Sequence, residues 1–168
     1  PGKDFQPAFR TKGSINFVVI HDTQGAMPGT LSWLRKAPKV VNGKIVHASS
    51  HYLISKKGEI FRIVPETSIA YHVRNYNSKS IGIELENLWA KVKDPYPDVQ
   101  IEALAELVKD ILKRYELPTS AIKSHAELDP RRRSDPGPLF PWGKFRSLIG
   151  GAAMSVDISE TDWVKGVS

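Results

Sequence analysis

The sequence predicts an α/β fold, a single domain in which a mixed central β-sheet is flanked by helices. Three observations carry that expectation. The chain of 168 residues is 40% hydrophobic, enough for one sizeable core and too short for two ordinary domains. Its branched apolar runs are of strand length, and they alternate with stretches at helical spacing.

Residues 1 to 14 show little periodicity and read as a surface arm preceding the fold. The run from Ile15 to Ile20 is rich in branched residues. It reads as a buried strand that delivers His21 at its carboxyl end, where ligands often bind in open α/β sheets. Gly25 and Gly29 break the chain, and Thr30 is expected to cap a short helix through Leu31, Trp33 and Leu34. Two apolar runs, 51 to 55 and 60 to 64, flank Lys56-Lys57-Gly58-Glu59, the pattern of a β-hairpin. From Ser80 to Leu85, Ile81, Ile83 and Leu85 alternate with Gly82, Glu84 and Glu86, so both glutamates are expected on one face of a strand.

The clearest helix follows Pro95 and Pro97, with Asp98 as expected N-cap. Ile101, Leu104, Leu107, Val108, Ile111, Leu112 and Tyr115 recur on one buried face. Leu117-Pro118 ends it. Ala121 to Ser124 reads as a strand leading to His125. Residues 129 to 141, dense in Pro, Gly and charge, read as an ordered loop, and 142 to 149 as a closing helix. The expected organisation is therefore an arm over 1–14, a domain over 15–149, and a C-terminal extension over 150–168 without an assigned role.

Composition narrows the chemistry. The chain has no cysteine, which removes disulfides and thiolate metal sites and leaves His, Asp and Glu as strong ligands. A net charge of +6 favours anionic partners, among them cell-wall polymers. The basic residues are scattered apart from Arg131-Arg132-Arg133, and no nucleic-acid motif is present, so no nucleic-acid partner is expected. No run approaches the roughly 20 apolar residues of a transmembrane helix. The first residue is Pro1, which reads as the start of a mature or trimmed chain.

His21, His72 and His125 adjoin strand ends or chain breaks, and each has a structural reading beside a functional one. Asp135 follows His125 by ten residues, in a proline-stiffened loop able to return a carboxylate to the histidine that begins it. Two imidazoles and one carboxylate would leave a fourth zinc position open, as hydrolytic sites require. No compact HExxH-like motif ties the three together, so the residues by themselves leave both roles open. His51 reads as a buried structural histidine, His47 as solvated, Glu86 as paired with a surface cation, and the triple arginine as a solvated charge run.

Several segments in register carry a resemblance. Phe17-Val-Val-Ile-His-Asp-Thr, Ser50-His-Tyr-Leu-Ile, Ser80-Ile-Gly-Ile-Glu-Leu-Glu, Ser124-His-Ala-Glu-Leu-Asp-Pro and Ser134-Asp-Pro-Gly-Pro-Leu-Phe-Pro-Trp resemble the type 2 N-acetylmuramoyl-L-alanine amidases, relatives of the peptidoglycan recognition proteins. The resemblance implies a recognition-protein-like fold and hydrolysis of the bond between N-acetylmuramic acid and L-alanine. It implies Zn2+ as cofactor on His21, His125 and Asp135, and Glu84 as general base. Arg133 stands where these enzymes commonly place a lysine near the developing oxyanion, with a different reach. Ser50 replaces the tyrosine used by another subset.

His72, within Tyr71-His72-Val73, matches a Trp-His motif near the metal, which leaves substrate contact and structural support as its two roles. Trp33, Asn75 and Asn77 are further candidates for lining the cleft, although Trp33 at helical spacing also fits the core. The expected partner is peptidoglycan or a muropeptide, met by a monomer in the cell envelope; cytoplasmic recycling and phage lysis are alternative settings. A non-catalytic peptidoglycan-binding module of the same fold is the rival function.

Overall fold

The structure is a computed structural model that describes residues 4–150. In chain order the elements are β1 (Phe5–Gln6), β2 (Phe17–Asp22), α1 (Gly29–Arg35), β3 (Lys39–Val41), β4 (Lys44–Val46), β5 (Tyr52–Ile54) and β6 (Ile60–Arg62). Then come β7 (Ile69–Ala70), β8 (Ser80–Leu85), α2 (Trp89–Val92), α3 (Asp98–Tyr115), β9 (Ile122–Ser124), α4 (His125–Leu128) and α5 (Trp142–Gly150). The unassigned extension lies outside the described residues from 151 onward.

Five strands form the central sheet in the order β6-β5-β8-β2-β9. β5, β8, β2 and β9 run parallel, and β6 closes one edge as the antiparallel arm of the expected hairpin. Val18, Val19 and Ile20 are all fully buried, which fits a central parallel strand covered on both faces. α3 packs on β5 and α5. Its stripe of Ile101, Leu104, Leu107, Val108 and Ile111 joins Ile20, Ile54, Ile81, Ile83 and Phe145 in the core. Gln100 is buried in the same helix because its Nε2 donates to the carbonyls of Ile54 and Glu86 at the sheet's end, 3.1 and 3.0 Å away. Among the described residues, no helix is long and apolar enough to cross a membrane.

Several local expectations are corrected. Thr30 lies inside α1, whose N-cap is Pro28 without a side-chain bond, and its hydroxyl instead packs close to Gly25. Asp98 is the first residue of α3, capped by Pro97, and it pairs with Lys144. In both helices a proline holds the backbone position that a capping side chain would use. The arm before Ile15 lies on the surface, as expected, and is tied to the fold. β1 pairs with β7, Asp4 is buried against Lys39 and His47, and Arg10 donates to the carbonyls of Glu66, Asn77 and Ser80. The β3–β4 hairpin was not foreseen; its Asn42-Gly43 turn, both residues at positive φ, is the signal that marks it.

Candidate active site

The site is assembled at the carboxyl edge of three adjacent parallel strands. The register sets Glu84 of β8 beside His21 of β2, and Ile20 beside Ser124 of β9, so His125 begins α4 one residue further on. Partners in neighbouring strands lie roughly 4.8 Å apart and project from the same face, which aligns the three side chains in a row. A capping box fixes the start of α4. Ser124 Oγ accepts from the Glu127 amide at 3.0 Å, and Glu127 Oε2 accepts from the Ser124 amide at 2.7 Å.

The loop after α4 returns Asp135 to that row. The Ala126 amide donates to the Asp135 carbonyl at 3.1 Å, and the Tyr96 hydroxyl donates to the Pro136 carbonyl at 2.6 Å. Gly137 is required here: its φ is +81°, and a Cβ would stand 2.2 Å from the Trp89 ring. Trp89 thus packs directly onto the loop that carries Asp135.

Three donor atoms converge. His21 Nδ1 and His125 Nδ1 are 2.9 Å apart, and Asp135 Oδ2 lies 3.0 and 3.1 Å from them. Among the described residues this is the set of His and carboxylate side chains gathered closely enough to hold an ion. Burial lowers the proton affinity of His21 against the opposing pull of Asp135. Burial works against the Asp135 charge, but its bonds to His125 and His21 outweigh this and hold the carboxyl well below the usual range. Glu84 is pushed well above its ordinary range, first by burial and then by the Asp135 and Asp22 carboxylates. Its Oε2 is buried without a hydrogen-bond partner. A cation among the three donors would oppose that repulsion, and the donor set is of the kind that binds zinc with one position left open. The residues therefore fit a metal.

A cleft of about 710 Å³ opens over the cluster. Arg133 lines it together with Arg74, Arg132, Trp89, Tyr71 and His72, and the Arg133 charge opposes the upward shift of Glu84. Asn75 does not line this cleft: it is exposed at a φ of +70°, in a turn conformation that asparagine tolerates better than most residues. Its neighbour Asn77 does line it, and there its Oδ1 accepts from the His72 and Val73 amides. Trp33 is 39% exposed and lines an adjoining cavity of about 440 Å³ that shares Asp22, Thr23, Leu34, Ala48 and Glu84 with the main cleft.

Residues 11–138 match the family described as N-acetylmuramoyl-L-alanine amidase. This chain belongs to that amidase family. N-acetylmuramoyl-L-alanine amidase AmiD of Escherichia coli (strain K12) is 36% identical over 149 residues, 76% of this chain and 51% of the relative. The 1,6-anhydro-N-acetylmuramyl-L-alanine amidase AmpD of Citrobacter freundii is 36% identical over 112 residues, 62% of this chain and 58% of the relative. The chain thus spans little more than half the length of these relatives. The fold is similar to E. coli AmiD solved in complex with the substrate anhydro-N-acetylmuramic acid-L-Ala-D-gamma-Glu-L-Lys, with a TM-score of 0.70 and 34% identity over 80% of this chain and 57% of that one.

Around this amidase-family site, other polar residues have structural work. His51 is fully buried, with Nδ1 accepting from the Gly82 amide and Nε2 donating to the Ser68 carbonyl; burial lowers its pKa to about 4. Glu86 pairs with backbone rather than a surface cation, accepting from the Met27 and Lys56 amides. His47 is exposed, as expected, while its Nδ1 lies 2.7 Å from Asp4 Oδ1 and the ring packs on Tyr71. Sequence reasoning missed Asp22, Trp89 and Arg74. Asp22, which accepts from the Trp89 indole and the Gln24 amide, directly follows His21 and was open to notice. Trp89 reaches the site by packing across the fold, which leaves no local sequence signal.

Proposed function

We propose that this chain hydrolyses the amide bond between N-acetylmuramic acid and L-alanine in peptidoglycan or its muropeptides, with Zn2+ held by His21, His125 and Asp135. The observation that carries the reading is the convergence of those three donors beside a buried, unpartnered glutamate oxygen. Substrate-bound AmiD, whose ligand contains this linkage, supports the choice of bond. Zinc bound there would polarise the scissile carbonyl and lower the pKa of water.

The chain's own residues divide the remaining work. Glu84, beside His21 in the strand register, accepts the proton of the attacking water and returns it to the departing alanine nitrogen. Its buried setting favours the protonated form, which suits the second half of that exchange. Arg133 at the cleft wall offers positive charge to the developing oxyanion. Trp33, in the adjoining cavity, offers an apolar face for sugar or peptide, and His72, at the cleft wall beside His21, supports the metal centre.

The test is incubation of the zinc-loaded chain with an N-acetylmuramoyl-L-alanyl-D-glutamyl peptide, with products weighed by mass spectrometry. The expected products are a free lactyl carboxylate on the sugar and a peptide with a free alanine amine. Binding of the intact compound without cleavage would overturn the reading in favour of a recognition module.

A further inference from the structure

The face of His21 turned away from the metal cluster carries a second set of contacts. His21 Nε2 lies 2.9 Å from His72 Nδ1, and His72 Nε2 lies 3.0 Å from Ser80 Oγ. The Ser80 hydroxyl donates to the Tyr76 carbonyl at 2.8 Å. A carbonyl can only accept, so the direction of the whole chain is determined from its far end. With its proton on Tyr76, Ser80 Oγ accepts from His72 Nε2–H. His72 Nδ1 is then a bare acceptor, and His21 must carry its proton on Nε2. With a metal among the three donors, His21 Nδ1 would present its lone pair to the ion, the form in which imidazole ligates a metal.

The surroundings hold this chain in place. Asn77 Oδ1 accepts from the His72 amide, and Arg10 Nη1 donates to the Ser80 carbonyl at 2.6 Å. Gly82 leaves room for the imidazole, since a Cβ there would stand 2.5 Å from His72 Cγ. His125, His21 and His72 stack edge to face with centroids 4.5 and 5.1 Å apart.

We infer that His72 is a positioning residue for the metal centre: backed by Ser80 and Tyr76, it fixes the tautomer and ring orientation of His21. This rests on the metal-site reading above and assigns His72 no contact with substrate. Second-layer partners of ligating histidines typically contribute 10- to 100-fold in metal affinity.

The experiment has two arms with separate readouts. In the metal-free protein, long-range 1H–15N correlation spectra are expected to show a proton on His21 Nε2, with His72 protonated on Nε2 and bare on Nδ1; a bare His21 Nε2 would overturn the relay whether or not metal binds. In the second arm, zinc affinity is measured by chelator competition on His72→Leu, His72→Asn and Ser80→Ala, with folding checked by circular dichroism. His72→Leu is expected to weaken zinc binding about 10- to 100-fold. His72→Asn, which keeps an acceptor near the Nδ1 position, should recover most of that loss, and Ser80→Ala should fall between. Wild-type affinity in folded His72→Leu, or in Ser80→Ala should the leucine variant not fold, would overturn the inference. A wild-type protein that binds no zinc while His21 shows the expected proton on Nε2 would overturn the metal reading and leave the relay as a structural hydrogen-bond chain.

Discussion

Glu84, whose Oε2 is buried without a partner, is the residue on which the proposed hydrolase and a binding-only module predict different outcomes. Glu84→Gln preserves shape and removes the proposed base, so turnover is expected to fall by about 10²–10⁴ while zinc affinity stays near wild type. Steady-state kinetics with parallel zinc titration checks this; near-normal turnover would remove Glu84 from the proton path. At this scale the sequence was informative wherever the chemistry follows from local punctuation. His21 ends a strand, His125 begins a helix, and Asp135 stands in a proline-rich loop, and the structure brings them within hydrogen-bond distance. It was least informative for Asn75 and Trp89. The side chain of Asn75 is set by a turn, and that of Trp89 by contact with a loop nearly fifty residues away in the chain.

The helices and strands were legible because their patterns are one-dimensional. α3 repeats its apolar positions over 18 residues, and the β5–β6 hairpin is punctuated by Gly58 at a φ of +80°. Helix starts were misread at Thr30 and Asp98, where good capping residues follow prolines that already occupy the cap positions. Register could not be read at all, since pairing between strands sixty residues apart leaves no trace in either strand alone; yet register is what sets Glu84 beside His21. The packing of α3 carries its own prediction. Leu107 is 1% exposed, and Leu107→Ala is expected to lower unfolding free energy by about 2–5 kcal/mol in urea denaturation. A loss well under 1 kcal/mol would mean that the helix does not cover the sheet as described.

Across the whole molecule, Glu66 joins the sheet to α3. Its carboxylate accepts from Tyr52 and Tyr115 hydroxyls and from both terminal nitrogens of Arg114. Burial opposes its charge, but the bonds from Arg114, Tyr115 and Tyr52 outweigh it and lower the pKa from 4.5 to about 2. A carboxyl lowered by folding stabilises the native state fully above its unfolded pKa and loses that contribution as pH falls through the folded value. Between roughly pH 4.5 and pH 2 the protein is therefore expected to lose on the order of 3 kcal/mol through this group, at about 1.4 kcal/mol for each tenfold change in proton affinity. In urea melts, the stability gap between wild type and Glu66→Gln should narrow from pH 6 to pH 3; a constant gap would contradict the charged cluster.

The central claim is that His21, His125 and Asp135 hold a catalytic metal, and the most direct test is zinc content measured together with amide cleavage on the same samples. The expected result is one zinc per chain in the wild type, no cleavage after chelation, recovery on adding zinc, and neither stable zinc nor cleavage in Asp135→Ala. Undiminished cleavage by a chain shown to be metal-free, or by Asp135→Ala without zinc, would contradict the account.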